Sequence, residues 1–130
     1  MGWGTRYRLY VMEKPISRQA HGYLDYGAVP LVAAAPTLVG FGNEPTATTL
    51  TRVLSGGILA TTLLTRAEWG AVKLLPFKAH LTVDAIASGF TLAAPWLFGF
   101  ARNSRARNAF LAIGATLLTT GLLSRPDEMP

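Results

Sequence analysis

One stretch of this chain is written twice. Residues 21–41 read HGYLDYGAVPLVAAAPTLVGF, and residues 80–100 read HLTVDAIASGFTLAAPWLFGF. Each opens on His, places Asp four residues later, reaches Ala-Ala-Pro and closes on Leu-x-Gly-Phe, at a constant offset of 59. The match runs further, from Lys14/Lys73 to Arg66/Arg125, with 17 identities in 53 ungapped positions. A fold for this chain must therefore accommodate two copies of one unit. Each unit holds two apolar segments, which makes it a helical hairpin. An even number of crossings gives both copies the same direction, so the axis relating them runs along the helices.

The apolar segments are long. Tyr26–Gly42, Ala85–Ala101 and Asn108–Ser124 carry no charged residue, and Val53–Thr65 is a shorter block whose flanking Arg52 and Arg66 can snorkel. A spanning helix needs roughly 17–25 largely apolar residues. The sequence therefore predicts an all-α integral membrane four-helix bundle, built from two tandem two-helix repeats. The spans are expected near 21–41, 48–66, 80–100 and 106–124. Residues 1–20 form an N-terminal interfacial segment, 21–66 the first hairpin, 67–79 a connecting loop, 80–125 the second hairpin and 126–130 a tail. Only 15% of residues are charged, against about 25% in an average soluble domain. The net charge of +5 does not imply nucleic acid, because the basic residues fall between apolar blocks and match no binding motif. The first block follows basic residues like a signal peptide, but its recurrence at 80–100 marks both copies as structure.

The retained residues select a helix face. Positions 21, 25, 28, 32 and 35 share one stripe and read His, Asp, Ala, Val, Ala; positions 80, 84, 87, 91 and 94 read His, Asp, Ala, Thr, Ala. Small residues allow membrane helices to approach closely, and ionisable residues in such helices face the bundle. His21, Asp25, His80 and Asp84 are therefore expected to form an inward-facing polar cluster. Small pairs recur in the second helix of each unit, Ser55-Gly56 aligned with Gly114-Ala115, again suiting close crossing.

The stretch LAAPWLFGF at 92–100 resembles the signature of the SPW-repeat family of small integral membrane proteins, which carry Ser-Pro-Trp in a helical hairpin, often twice. Pro95-Trp96 fits the motif with Ala94 in the serine position; the first copy, Ala35-Pro36-Thr37, keeps only the proline. Pro36, Gly40, Phe41, Pro95, Trp96, Gly99 and Phe100 are the repeat-motif residues. The resemblance covers about residues 14–125. It implies a small membrane protein and no particular reaction.

Charge sets an expected orientation. Arg6, Arg8, Lys14, Arg18, Arg66, Lys73, Lys78 and Arg125 fall on one side, against Arg52, Arg102, Arg105 and Arg107 on the other. The positive-inside rule then places both termini in the cytoplasm, with the bacterial inner membrane the expected location. The N-terminal segment mixes Trp3, Tyr7 and Tyr10 with Arg6 and Arg8. That composition suits lipid headgroups or a neighbouring protein surface.

Each His/Asp pair sits one helical turn apart, so its side chains can meet. The plain reading is structural: Asp accepts from the His ring or from free N–H groups at the helix start. The sharper reading brings His21 and His80 together across the pseudo-twofold, with the aspartates behind them, as ligands to a haem or metal. A proton path is a third possibility. The chain has no cysteine, no third histidine and no nucleophile or phosphate-binding motif, so no enzyme activity and no resident cofactor are expected. The function expected is a non-catalytic accessory subunit, contacting the lipid bilayer and other membrane subunits. By analogy, respiratory or photosynthetic complexes are the candidates. The alternative is a self-contained binder or transporter that uses the His/Asp cluster.

Overall fold

The computed structural model describes residues 2–130, and the side chains of all of these except 9–13. The described residues are all-helical: α1 (Trp3–Glu13), α2 (Arg18–Ala35) continued by a π turn (Pro36–Gly40), α3 (Pro45–Leu63), α4 (Phe77–Leu97) and α5 (Ser104–Leu122). The four long helices form the two hairpins, α2–α3 and α4–α5. They begin at residues 18, 45, 77 and 104, about three residues before the expected spans. The expectation was bounded by charge, whereas helix starts are set by caps. Ser17 Oγ accepts the Ala20 N–H at 3.1 Å, and Asn103 Oδ1 accepts that of Ala106 at 3.1 Å. Pro45 opens α3, where its missing N–H costs nothing. The start of α4 is capped from a distance: Glu128 accepts from the Phe77 and Lys78 N–H groups, both at 2.9 Å.

The repeated Gly-Phe ends the first helix of each hairpin. Gly40 and Gly99 adopt φ +86° and +76°, a region that penalises any residue with a Cβ. The following Phe41 and Phe100 N–H groups bond back to the Pro36 and Pro95 carbonyls, each at 2.9 Å. This is the six-to-one bond of a glycine-terminated helix. It turns both phenylalanines inward, onto a core of Ala35, Ala47, Ala94, Ala106, Ala109 and Phe110.

Packing is close within hairpins and thin between them. Gly114 lies against Leu92, too near for a side chain, and the equivalent Ser55 donates its hydroxyl to the Val29 carbonyl at 2.7 Å. Between hairpins, α2 meets α5 and α3 meets α4 over fewer residues. Each contact leaves an apolar groove, one lined by Leu31, Val32 and Ile113 and the other by Phe90, Thr91 and Leu54.

The two units are also closed in the same way. Leu75 runs beside Thr65 and Ile16 beside Ser124, as isolated parallel bridges. The Arg66 N–H reaches the Leu75 carbonyl at 2.7 Å, and the Arg125 N–H reaches that of Ile16 at 2.8 Å. Every partner has its counterpart 59 residues away. The second unit thus returns to the start of the first, and the pseudo-twofold forms a closed cycle.

The buried residues invert the pattern of a water-soluble protein. No leucine or isoleucine is buried among the described residues. The buried set is instead alanine, glycine, proline, phenylalanine, histidine, aspartate, serine and threonine, with Val32. At the same time, no helix is both long and apolar enough to cross a membrane among the described residues. Composition explains that result. α3 alone holds six threonines, Ser55, two glycines and Arg52, and these lower its hydropathy although its length is 19 residues. Many of the hydroxyls are spent inside their own helices. Thr61, Thr62, Ser88, Thr91, Thr116 and Thr120 donate to the carbonyl four residues earlier, at 2.6–2.8 Å.

The helix α1 was not anticipated. Trp3, Arg6, Tyr7 and Arg8 stand exposed along it, Trp3 at 89%. The Tyr10 side chain, grouped with them from sequence, lies outside the described residues.

Candidate functional site

At the end of the bundle where α2 and α4 begin, the two units bring their ionisable residues into one ring. His21 Nε2 lies 3.0 Å from Asp84 Oδ2 and 3.3 Å from Asp25 Oδ2. His80 Nε2 lies 2.9 Å from Asp25 Oδ2 and 3.2 Å from Asp84 Oδ2. The shorter contact of each histidine crosses to the other repeat. The aspartates therefore stand between the histidines, not behind them as the sharper sequence reading placed them. A helical i,i+4 pair leaves its carboxylate beside the ring nitrogen, and the twofold inserts it between both rings.

The outer nitrogens are held by hydroxyls. His80 Nδ1 lies 2.7 Å from Thr65 Oγ1, and His21 Nδ1 lies 2.7 Å from Ser124 Oγ. Each hydroxyl has one proton, and each donates it at 2.6 Å to a backbone carbonyl, Thr65 to Thr61 and Ser124 to Thr120. Each hydroxyl oxygen must then accept from the histidine, so both Nδ1 atoms carry a proton. That fixes the tautomer and leaves both Nε2 atoms facing the carboxylates. With a second proton on each Nε2, the two rings are cations opposite two anions, and the ring of four sums to zero charge.

Apolar groups seal the site. Phe77 stacks on His80 with ring centroids 5.8 Å apart and meets His21 edge-on at 5.3 Å. Trp69, from the link between α3 and α4, packs edge-on to His80 at 5.6 Å. Its indole N–H donates to the Arg18 carbonyl at 2.8 Å, and its own carbonyl accepts from Tyr26 at 2.6 Å. Gly22 makes room for it, since a Cβ there would fall 2.3 Å from the indole ring. His21, His80 and Asp25 are buried, while the Asp84 side chain remains 21% exposed. At the rim, Arg18 grips Glu68 through two N–H groups at 2.9 and 2.5 Å. The Arg18 guanidinium holds the Glu68 carboxyl down at about 2.

The other singled-out residues lie elsewhere. Pro36, Phe41, Pro95 and Phe100 are buried at the far end of the bundle, while Gly40, Gly99 and Trp96 are exposed there. Trp3, Arg6, Tyr7 and Arg8 belong to the exposed α1. Sequence reasoning passed over Thr65, Ser124, Trp69 and Gly22. The first two occupy equivalent repeat positions and differ in identity, so a count of identities misses them although both are hydroxyls. Trp69 and Gly22 have no matching partner in the other repeat, and nothing in the pattern marks them.

These features define a class: an all-helical chain of two tandem hairpins joined by a shared polar ring. The SPW repeat domain matches residues 19–124 of the chain, and the chain belongs to that family. Membership suggests a small membrane protein. No curated protein and no solved structure matches the chain.

Proposed function

We propose that this chain is a small integral membrane protein with four short spans, acting as a non-catalytic accessory subunit of a larger membrane assembly. The observation that carries the membrane reading is the inverted interior. Ten buried polar or ionisable residues face inward, from His21 to Ser124, while residues such as Leu24, Leu31, Val53, Ile86, Phe90 and Leu97 face out. Water penalises that arrangement; lipid favours it, because helices in lipid associate through small residues and hydrogen bonds. The hydroxyls that lower the helices' hydropathy cost little in a bilayer when their protons are used within the helix. The His/Asp ring then serves as the fastener between hairpins whose other contacts are thin.

The subunit reading rests on α1. Its aromatic and arginine side chains stand exposed, a composition enriched in protein interfaces. The ring, the tails and the link at 64–76 share one end of the bundle, assigned to the cytoplasmic side of a bacterial inner membrane by the excess of Lys and Arg there.

Two experiments test these statements separately. The chain has no native cysteine, so single cysteines at Lys73 and Ser104 report the topology. Labelling from opposite sides of the membrane is expected; labelling of both from one side sinks the four-span arrangement. For the subunit reading, purification from native membranes in mild detergent should recover larger partner chains, and deletion of residues 2–12 should release them with the bundle still folded. A chain that purifies without any partner ends the subunit reading and leaves the topology intact.

A further inference from the structure

We propose that the ring of His21, Asp25, His80 and Asp84 is a binding site for one divalent transition-metal ion, with zinc as its natural chemical match. The four residues each offer one ligand atom, and these atoms all lie within 4.8 Å of one another. A tetrahedral ion with bonds of about 2.0–2.1 Å to nitrogen and oxygen sets its donors about 3.3–3.4 Å apart. The four nitrogen–oxygen edges of the ring measure 2.9, 3.0, 3.2 and 3.3 Å. Seating the ion opens those four edges by a few tenths of an ångström and draws the nitrogen–nitrogen and oxygen–oxygen separations, which lie within 4.8 Å, to the same length.

The chemistry of the outer nitrogens points the same way. Thr65 and Ser124 hold the proton on Nδ1 of each histidine, as derived above from their own donation to Thr61 and Thr120. Both imidazoles therefore direct Nε2 inward, and a hydrogen-bonded outer nitrogen is the usual companion of a metal-bound one. Binding also balances in charge. The ring with a proton on each Nε2 is neutral; one M²⁺ enters as those two protons leave, and the ring is neutral again. No charged group need be recruited into an apolar setting. The partly exposed Asp84 carboxylate gives an ion its route in. A haem has no comparable place, since the two imidazoles sit 5.2 Å apart, edge to face, with Phe77 against both and Trp69 against His80.

This site stands whether or not the chain has protein partners, and its test uses the full chain in detergent. The chain contains only two histidines and no cysteine, so imidazole ligation of any ion reports this site alone. Zn²⁺ added to metal-stripped protein should bind at one ion per chain. X-ray absorption of that complex should show two imidazole nitrogens and two oxygens at about 2.0–2.1 Å. Co²⁺ in place of Zn²⁺ should give the intense visible bands of a tetrahedral ion. His80→Ala should weaken binding by more than about 100-fold. The double variant Thr65→Ala, Ser124→Ala retains all four ligands and should weaken it by about 10–100-fold, at unchanged stoichiometry. Absence of micromolar binding by the parent chain would overturn the proposal. So would a first shell without imidazole, a readout that does not depend on any variant folding.

Discussion

The two ends of the bundle solve the same problem with different physics. Where α2 and α4 begin, the repeats meet through four ionisable side chains, two hydroxyls and a precise set of distances. Where those helices stop, they meet through shape: Phe41 and Phe100 turn in beneath the Gly-Phe corners, and Phe110 packs against both, with ring centroids 6.4 and 4.9 Å away. The polar end keeps its twofold nearly intact, since each His, each Asp and each hydroxyl on a histidine has a like counterpart; the exception is Thr62, whose hydroxyl lies 3.3 Å from Asp25 Oδ2 and whose place in the second repeat is taken by Gly121. The apolar end does not. Phe110 stands where the first repeat has Thr51, Trp96 where it has Thr37, and the first copy closes in a π turn where the second stays α-helical. Directional bonds tolerate little drift between copies, because a lost partner leaves a buried charge or hydroxyl unpaired. A space filled by methyl and phenyl groups accepts different fillings of similar volume.

The comparison can be broken most strongly at Asp25. Its carboxylate is buried and joins both histidines. Asp25→Ala should cost about 3–5 kcal/mol, the usual range for removing one partner of a buried ion pair. Asp84 occupies the equivalent place with its side chain 21% exposed. Water can replace part of what is lost there, so Asp84→Ala should cost less, about 1–3 kcal/mol. Equilibrium unfolding in detergent measures both. Equal costs would show that exposure does not separate the two repeats.

At the other end, Phe110→Ala should destabilise by about 3 kcal/mol, the low end for deleting a buried phenyl group. The pseudo-equivalent exchange, Thr51→Phe, is the sharper test. Thr51 is fully buried and donates to the Thr48 carbonyl at 2.8 Å, so a phenyl ring there overpacks a filled space, at about 1–3 kcal/mol. Thermal melts that show Thr51→Phe rescuing Phe110→Ala would mean that volume alone decides the packing at this end.

The helix stops come next in size. Gly99→Ala places a Cβ at φ +76° and should cost about 1–2 kcal/mol, with Gly40→Ala the same. Trp96, the most visible letter of the family motif, is 60% exposed. Its replacement by Leu should leave the unfolding midpoint nearly unchanged. A large loss of stability from that change would show that the tryptophan, and not the proline and glycine around it, terminates the helix.

Much of this was legible in the sequence, for physical reasons. The helical hairpins follow from apolar blocks of fixed length, and the duplication from the constant offset. His and Asp one turn apart on a small-residue stripe are bound to meet something inside the bundle. Their crossed pairing was not legible, because i,i+4 spacing gives a local partner and says nothing of the helix beside it. The hydroxyls at Thr65 and Ser124 sit just past the ends of α3 and α5, at the edge of the apolar blocks, where a polar residue is the common case. Glu128 and Trp69 act on helices far from them in sequence, and no local pattern encodes a contact between residues 77 and 128. The helix starts moved because caps, not charges, define them. α1 was read only as an interfacial segment, since its mixed charges and aromatics give no apolar stripe from which a helix can be inferred.

The smallest effect lies at the rim of the polar end, where exposure weakens what burial strengthens a few residues away. Arg18 and Glu68 form a forked pair of short contacts, yet the Glu68 side chain is 36% exposed. Solvent screens such a pair, and about 0.2–1 kcal/mol is its expected contribution. The sign with pH follows from Arg18, whose hydrogen bonds lower the Glu68 carboxyl from 4.5 to about 2. The folded chain holds the ionised form more firmly than the unfolded chain does. The contribution is therefore complete above about pH 5 and fades as pH falls through 4 toward 2. Glu68→Gln should remove that part of the acid dependence and lower stability slightly at pH 7. The unfolding midpoint, followed from pH 7 to pH 3 for parent and variant, should show two curves converging at low pH. Curves that stay parallel would mean that the fork contributes nothing through charge, and that the rim is held instead by Trp69 on the Arg18 carbonyl.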